Sequence, residues 1–142
     1  MYLWDSSILR HFAEGNLVLR EHIMRHRWEE IALPSVVIAE VLRGRCDHAL
    51  KASAQQAPVA HQLLLQTLEF LRQFNVVAFD QPSAEIMLRL QQKLSSRKRY
   101  ADVMIAATAI AGNHILVTRN TQHFTDLLPR RQLFNWIDVL PD

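Results

Sequence analysis

Apolar positions along the chain change their period several times, and each change marks an element. Tyr2, Leu3 and Trp4 form a short apolar run that predicts a buried strand. Short helices follow over 6–12 and 16–25. A second strand over 31–33 is stopped by Pro34, and Ser35 stands where a helix N-cap belongs. That helix runs to about Gly44 or beyond. Over 60–74 the apolar residues Leu64, Leu65, Leu68 and Leu71 keep a helical period, and a third strand follows over 76–79. Ile86, Met87, Leu90 and Leu94 line one face of a helix over 83–94. The helix over 102–111 is apolar nearly all round, so it is expected to pack on both sides. Residues 115–118 give a fourth strand and 136–139 a fifth.

Strands separated by helices predict an α/β fold with a parallel sheet, whose ligands bind outside the carboxyl ends of the strands. Four polar residues stand out against this pattern. Asp5 ends the first apolar run. Glu40 interrupts the apolar stretch from Val36 to Leu42. Asp102 heads the apolar block from Val103 to Ala111, and Asn120 follows Ile115, Leu116, Val117, Thr118 and Arg119. A carboxylate beside buried apolar surface is costly unless paired. Three carboxylates brought together need a cation, and a divalent ion among oxygen ligands points to phosphodiester hydrolysis. Each residue also has a structural reading. Asp5, Asp102 and Asn120 can cap the helix or turn that follows, Glu40 can pair with an arginine, and Thr118 can serve as a β-former.

Composition narrows the picture. The 142 residues are 49% hydrophobic and carry only 3 glycines, with no linker-like tract, which fits a single domain over 1–142. The net charge of +2 is too small to signal a nucleic-acid partner, but the basic residues cluster. The runs at Arg43 and Arg45, and at Arg97, Lys98 and Arg99, lie within a few residues of Glu40 and Asp102. Arg119 precedes Asn120. Acids for a metal with bases close by suit a phosphodiester substrate, though such runs also occur as solvated helix ends. Cys46 is alone, so no intrachain disulfide or thiolate cage forms. A strand starting at Met1 leaves no room for a signal peptide, and no apolar run is long enough to span a bilayer. The expected location is the cytoplasm.

The blocks with most character are Asp5-Ser-Ser-Ile-Leu9, Pro34-Ser-Val-Val-Ile-Ala-Glu40, Ala101-Asp102-Val-Met-Ile-Ala-Ala-Thr-Ala and Leu116-Val-Thr-Arg-Asn120. In this order they resemble PIN-domain proteins, and more narrowly the VapC-type ribonuclease toxins of prokaryotic toxin–antitoxin pairs. The resemblance spans essentially the whole chain. It implies a sandwich of helices around a parallel sheet of about five strands. It implies an endoribonuclease that uses Mg²⁺ or Mn²⁺, with Asp5, Glu40 and Asp102 as metal-binding acids and Asn120 completing the catalytic set. Ser6 and Thr118 would orient carboxylates or water behind them. Arg43, Arg97, Lys98, Arg99 and Arg119 would contact RNA. One departure matters: many relatives carry Asp at position 120 or just before Phe124, where this chain has Asn120 and His123. Asn120 offers a carbonyl oxygen but no charge.

Two other functions compete. A receiver-like phosphoacceptor would use Asp80 after the third strand with Asp5 and Thr118, but it leaves Glu40 and Asp102 unexplained. A PIN fold weakened in catalysis would only bind RNA or a partner. The toxin reading also implies a VapB-like antitoxin as a separate chain. The excess of apolar residues over 63–71 predicts a surface for an antitoxin helix or for a homodimer.

Overall fold

Five parallel strands form one sheet in the order β3-β2-β1-β4-β5 in the computed structural model, which describes residues 1–94 and 99–142. The strands are β1 Tyr2–Trp4, β2 Ile31–Pro34, β3 Asn75–Val77, β4 Ile115–Val117 and β5 Leu133–Phe134. The helices are α1 Ser6–Ala13, α2 Leu17–Ile23, α3 Ser35–Lys51, α4 Ala57–Leu71, α5 Gln81–Lys93 and α6 Tyr100–Ala111. Parallel strands need crossovers, and right-handed crossovers put α1 to α4 on one face and α5 and α6 on the other. This is the α/β fold with a parallel sheet that the alternation of periods predicts, and the sandwich of helices that the resemblance implies.

The core is what holds the strand ends still. Leu3, Trp4, Ala32, Leu33, Leu116 and Val117 are fully buried in the three central strands. Burying a large apolar side chain stabilises a fold by about 1.5–3 kcal/mol. Trp4 sits in an aromatic cluster with Phe12, 5.4 Å away between ring centres, and Phe74, 5.7 Å away. In α6 every residue from Ile105 to Ala109 is buried, so the helix is covered all round, as its pattern requires. Among the described residues no helix is long and apolar enough to cross a membrane.

Three local expectations need correction. Ser35 does not cap α3: the helix begins at Ser35 with Pro34 as its cap, and the Ser35 hydroxyl accepts from the Phe79 backbone N–H instead. The fifth strand is Leu133–Phe134 and not 136–139. The backbone turns at Asn135, whose Oδ1 accepts from the N–H groups of Ile137 and Asp138. Trp136 then packs parallel to the rings of His22 and His26, with centres 5.1 and 4.9 Å away. Finally, α6 starts at Tyr100, so Asp102 lies in its first turn and is not its cap. On α4, Val59, Leu65 and Leu68 are exposed, so the apolar surface expected there is present.

Candidate active site

β1 and β4 are neighbours whose chains leave in opposite directions, β1 toward β2 and β4 toward β5. The crevice at the carboxyl ends of such a pair is where open α/β sheets bind ligands. The register sets Trp4 beside Val117, so the next residues, Asp5 and Thr118, face each other. Thr118 is fully buried, and its hydroxyl donates to Asp5 Oδ2 at 2.5 Å. The Ser7 hydroxyl donates to Asp5 Oδ1 at 2.6 Å, and the Ile8 N–H donates to the same oxygen at 3.2 Å. Asp5 is therefore the cap of α1 as well as a candidate ligand. A carboxylate has about four acceptor positions. The three donors leave the open one on Oδ2. Asp5 is only 6% exposed, and burial pushes its carboxyl above its ordinary value, while the bonds from Ser7, Thr118 and Ile8 pull it back.

Glu40 lies on α3 with its side chain open to solvent, despite the apolar residues around it in the sequence. A helix separates sequence neighbours by about 100°, and it is Val37 that turns into the core. The Glu40 carboxyl is nevertheless raised. Partial loss of hydration is the largest cause, followed by the negative charges of Asp102 and then Asp5. Asp102 and Asp5 are therefore near enough for their charges to act on Glu40, as acids placed to meet one cation would be. Among the described residues no three His, Cys, Asp or Glu side chains form a ready-made metal cage. The donor set still suits Mg²⁺ or Mn²⁺: it is all oxygen, three carboxylates strong, and carries a repulsion that a cation relieves.

The structure redistributes several expected roles. Ser6 is exposed and lines a groove of about 490 Å³ with Leu9, Val41 and Phe70; the serine that holds Asp5 is Ser7. Asn120 is exposed, and its side chain makes no hydrogen bond among the described residues. Its backbone N–H donates to the Thr118 hydroxyl at 3.0 Å, which places it two hydrogen bonds from Asp5. Arg43 is exposed on α3. The Arg119 guanidinium donates to both oxygens of Asp138, at 3.3 and 3.4 Å, and its backbone N–H donates to Ser7 Oγ. Arg99 is engaged by the protein itself. It lies 3.6 Å from Asp102 Oδ2 through Nε, donates to Asp126 Oδ2 at 2.9 Å through Nη1, and donates to the His123 carbonyl through Nη2. Arg97 and Lys98 lie outside the described residues.

Asp80, the acid of the phosphoacceptor alternative, caps α5. It accepts from the Ser83 N–H at 3.0 Å and the Ser83 hydroxyl at 2.7 Å, and these bonds hold its carboxyl below the ordinary value. It follows β3 at the sheet edge, two strands away from β1. Sequence reasoning missed Ser7, Asp126 and Asp138. Ser7 had a signal, since the residue two past a helix cap folds back toward it. The two aspartates act through long-range pairs with no local signature.

A protein-family model described as PIN domain matches residues 2–127. Comparison with curated protein sequences finds no match. Solved structures do match. FitAcB from Neisseria gonorrhoeae is 24% identical with a TM-score of 0.73, over 98% of this chain and 100% of that one. A toxin–antitoxin complex from Klebsiella pneumoniae is 22% identical with a TM-score of 0.68, over 98% and 100%. DNA-bound VapBC from Salmonella typhimurium is 20% identical with a TM-score of 0.74, over 95% and 97%. At these identities the likeness establishes the fold.

Proposed function

The chain belongs to the PIN domain family, and on that premise we propose that it is a Mg²⁺- or Mn²⁺-dependent endoribonuclease, the toxin of a type II toxin–antitoxin pair. The observation that carries the reading is the buried Asp5 carboxylate, held by Thr118 and Ser7 at the carboxyl end of β1, with the acids Glu40 on α3 and Asp102 on α6 completing the oxygen donor set. The pairing with an antitoxin is supported by the neighbours, which are FitAcB, a toxin–antitoxin complex and DNA-bound VapBC. A VapB-like protein is the corresponding partner for this chain.

Asp5, Glu40 and Asp102 would hold the ion. When bound, a divalent cation supplies Lewis-acid stabilisation of charge on a scissile phosphate. The chain's own residues do the rest. Thr118 and Ser7 fix both oxygens of Asp5, so the open acceptor position on Oδ2 has one direction. Asn120 sits beside them with a neutral oxygen donor. Arg43 is free to meet RNA phosphates, and Arg119 can do so on leaving Asp138.

The test is cleavage of single-stranded or loop RNA by the purified chain with Mg²⁺ or Mn²⁺, abolished by EDTA. Cleavage that survives EDTA refutes the metal mechanism. One observation favours a second reading, a PIN fold that binds RNA or a partner with little catalysis: the fourth polar position is Asn120, which brings no charge. Absence of cleavage in either metal across several RNA pools selects that reading.

A further inference from the structure

Asp102 has a cation beside it already. The Arg99 guanidinium stands between Asp102, on α6, and Asp126, beyond the Thr121–His123 turn. The two interactions differ. The bond to Asp126 Oδ2 is 2.9 Å, a charge-assisted hydrogen bond, whereas the nearest approach to Asp102 Oδ2 is 3.6 Å, a Coulombic contact. Arg99 also donates to the His123 carbonyl, so its anchor is the 123–126 segment and its charge leans on Asp102. A cleft lined by Arg99, Asp102, Gln122, His123 and Asp126 opens at this point.

We propose that Arg99 is a positioning residue that acts as the resident counter-ion of Asp102, competing with the divalent ion for that carboxylate and so lowering the affinity of the site for metal. The inference rests on the metal-dependent reading above. Two effects of Arg99 oppose each other. It steadies Asp102, which favours metal binding, and it places a positive charge a few ångströms from a ligand oxygen, which opposes it. The charge effect wins, because Coulomb energy at that range acts on a doubly charged ion, while steadying one partly exposed side chain is worth little. Asp126 makes the exchange feasible. When the metal takes Asp102, the guanidinium keeps its shorter bond and is not left unpaired.

The experiment measures Mn²⁺ affinity by calorimetry, without RNA and at fixed ionic strength, for the wild type and a set of variants. Arg99→Gln is expected to bind Mn²⁺ at least fivefold tighter than wild type. Arg99→Lys, which keeps the charge, stays within twofold of wild type. Asp126→Asn removes the anchor and lets Arg99 close on Asp102, so it binds more weakly. The double variant Arg99→Gln/Asp126→Asn binds tighter than Asp126→Asn, since the competing charge is gone, but not as tightly as Arg99→Gln, since the Asp126 carboxylate also attracts the ion. Equal or weaker Mn²⁺ binding in folded Arg99→Gln overturns the proposal and leaves Arg99 a structural clasp. Asp102→Asn separates the two levels. If Mn²⁺ binding needs Asp102 but ignores Arg99, this inference alone falls. If Mn²⁺ binding ignores Asp102, or is absent throughout, the metal-dependent reading falls with it.

Discussion

Thr118 and Asp5 join the carboxyl ends of two neighbouring strands through a buried 2.5 Å hydrogen bond from the threonine hydroxyl to carboxylate Oδ2. The hydroxyl has no freedom to turn away, since it also accepts from the Asn120 N–H. Thr118→Val keeps the shape and removes the donor. Loss of a buried bond to a charged group costs about 1.5–3 kcal/mol. The Thr118 bond lowers the Asp5 carboxyl, so its loss raises that already raised group further. A raised acid destabilises the fold above its folded-state value, and the cost fades as pH falls and the group protonates. Urea melts should therefore show the variant's deficit shrinking toward acid pH. The acid limb of the cleavage profile should move to higher pH. A profile unchanged from wild type would detach Thr118 from the site.

Ser7 and Ser6 separate positioning from mere proximity. Ser7 donates to Asp5 Oδ1 at 2.6 Å, whereas Ser6 is exposed. Ser7→Ala should cost about 1–3 kcal/mol and reduce cleavage. Ser6→Ala should stay within about 0.5 kcal/mol of wild type and retain activity. Chemical denaturation and initial rates on the two variants decide it; the reverse order would restore Ser6 to the role its neighbour holds here.

Much of the fold was legible because burial imposes period. α6 reads as apolar all round and is covered all round; Trp4 reads as the end of a buried strand and is, and the strand read over 115–118 ends one residue earlier, at Val117. The errors fall where period carries no information. Trp136, Ile137 and Val139 look like a strand, but a two-residue pairing at Leu133–Phe134 already completes the sheet, and the Asn135 turn sends Trp136 to His22 and His26. Glu40 looked embedded because its sequence neighbours are apolar, and the helix turns it outward. Asp5 and Asp102 were visible as acids at element ends. Arg99 was visible only as part of a basic run, since its partners lie 3 and 27 residues away and a turn brings them together.

Glu40 carries the repulsion of the site. Its carboxyl is raised by lost hydration, Asp102 and Asp5, in that order. The charged form is penalised at neutral pH, and the penalty is absent below the ordinary value of 4.5. Glu40→Gln should therefore melt above wild type in EDTA at pH 7, with the advantage vanishing as pH falls below that value. With Mg²⁺ the order should invert. Wild type gains about 2.7 kcal/mol at a hundred times its dissociation constant, and the variant loses most of that gain. Melting curves with EDTA and with Mg²⁺ at two pH values check both signs. Identical curves would mean that Glu40 neither feels the other acids nor meets the ion.

Arg43 and Arg119 should differ in how they meet phosphate. Arg43 is exposed and takes part in no ion pair among the described residues, while Arg119 is held by Asp138. Removing one phosphate-binding cation reduces the slope of log affinity against log salt by about 0.7 for a single strand. Arg43→Ala should show that reduction in full. Arg119→Ala should show less, because the pair with Asp138 must be given up before RNA is met. Binding titrations with a non-cleavable RNA at several salt concentrations measure this. Equal slopes in all three proteins would place RNA elsewhere.

Asn120 offers a test in which one substitution moves stability both ways. It is exposed, its side chain has no partner among the described residues, and its backbone is one hydrogen bond from Thr118 and two from Asp5. Asn120→Asp adds a negative charge without changing shape. In EDTA at neutral pH that charge joins the field that already raises Glu40, so the variant should melt below wild type. The introduced carboxyl is itself raised by the same field, so the deficit should close as pH falls and it protonates. With Mg²⁺ the added charge becomes a ligand. The melting temperature should then rise more than in wild type, and half-maximal cleavage should come at lower Mg²⁺. If Asn120 only shapes the turn at Thr121–His123, Asp serves that turn as well as Asn does. The melting temperatures in EDTA and the Mg²⁺ titration would then coincide with wild type, and position 120 would have no part in the metal site.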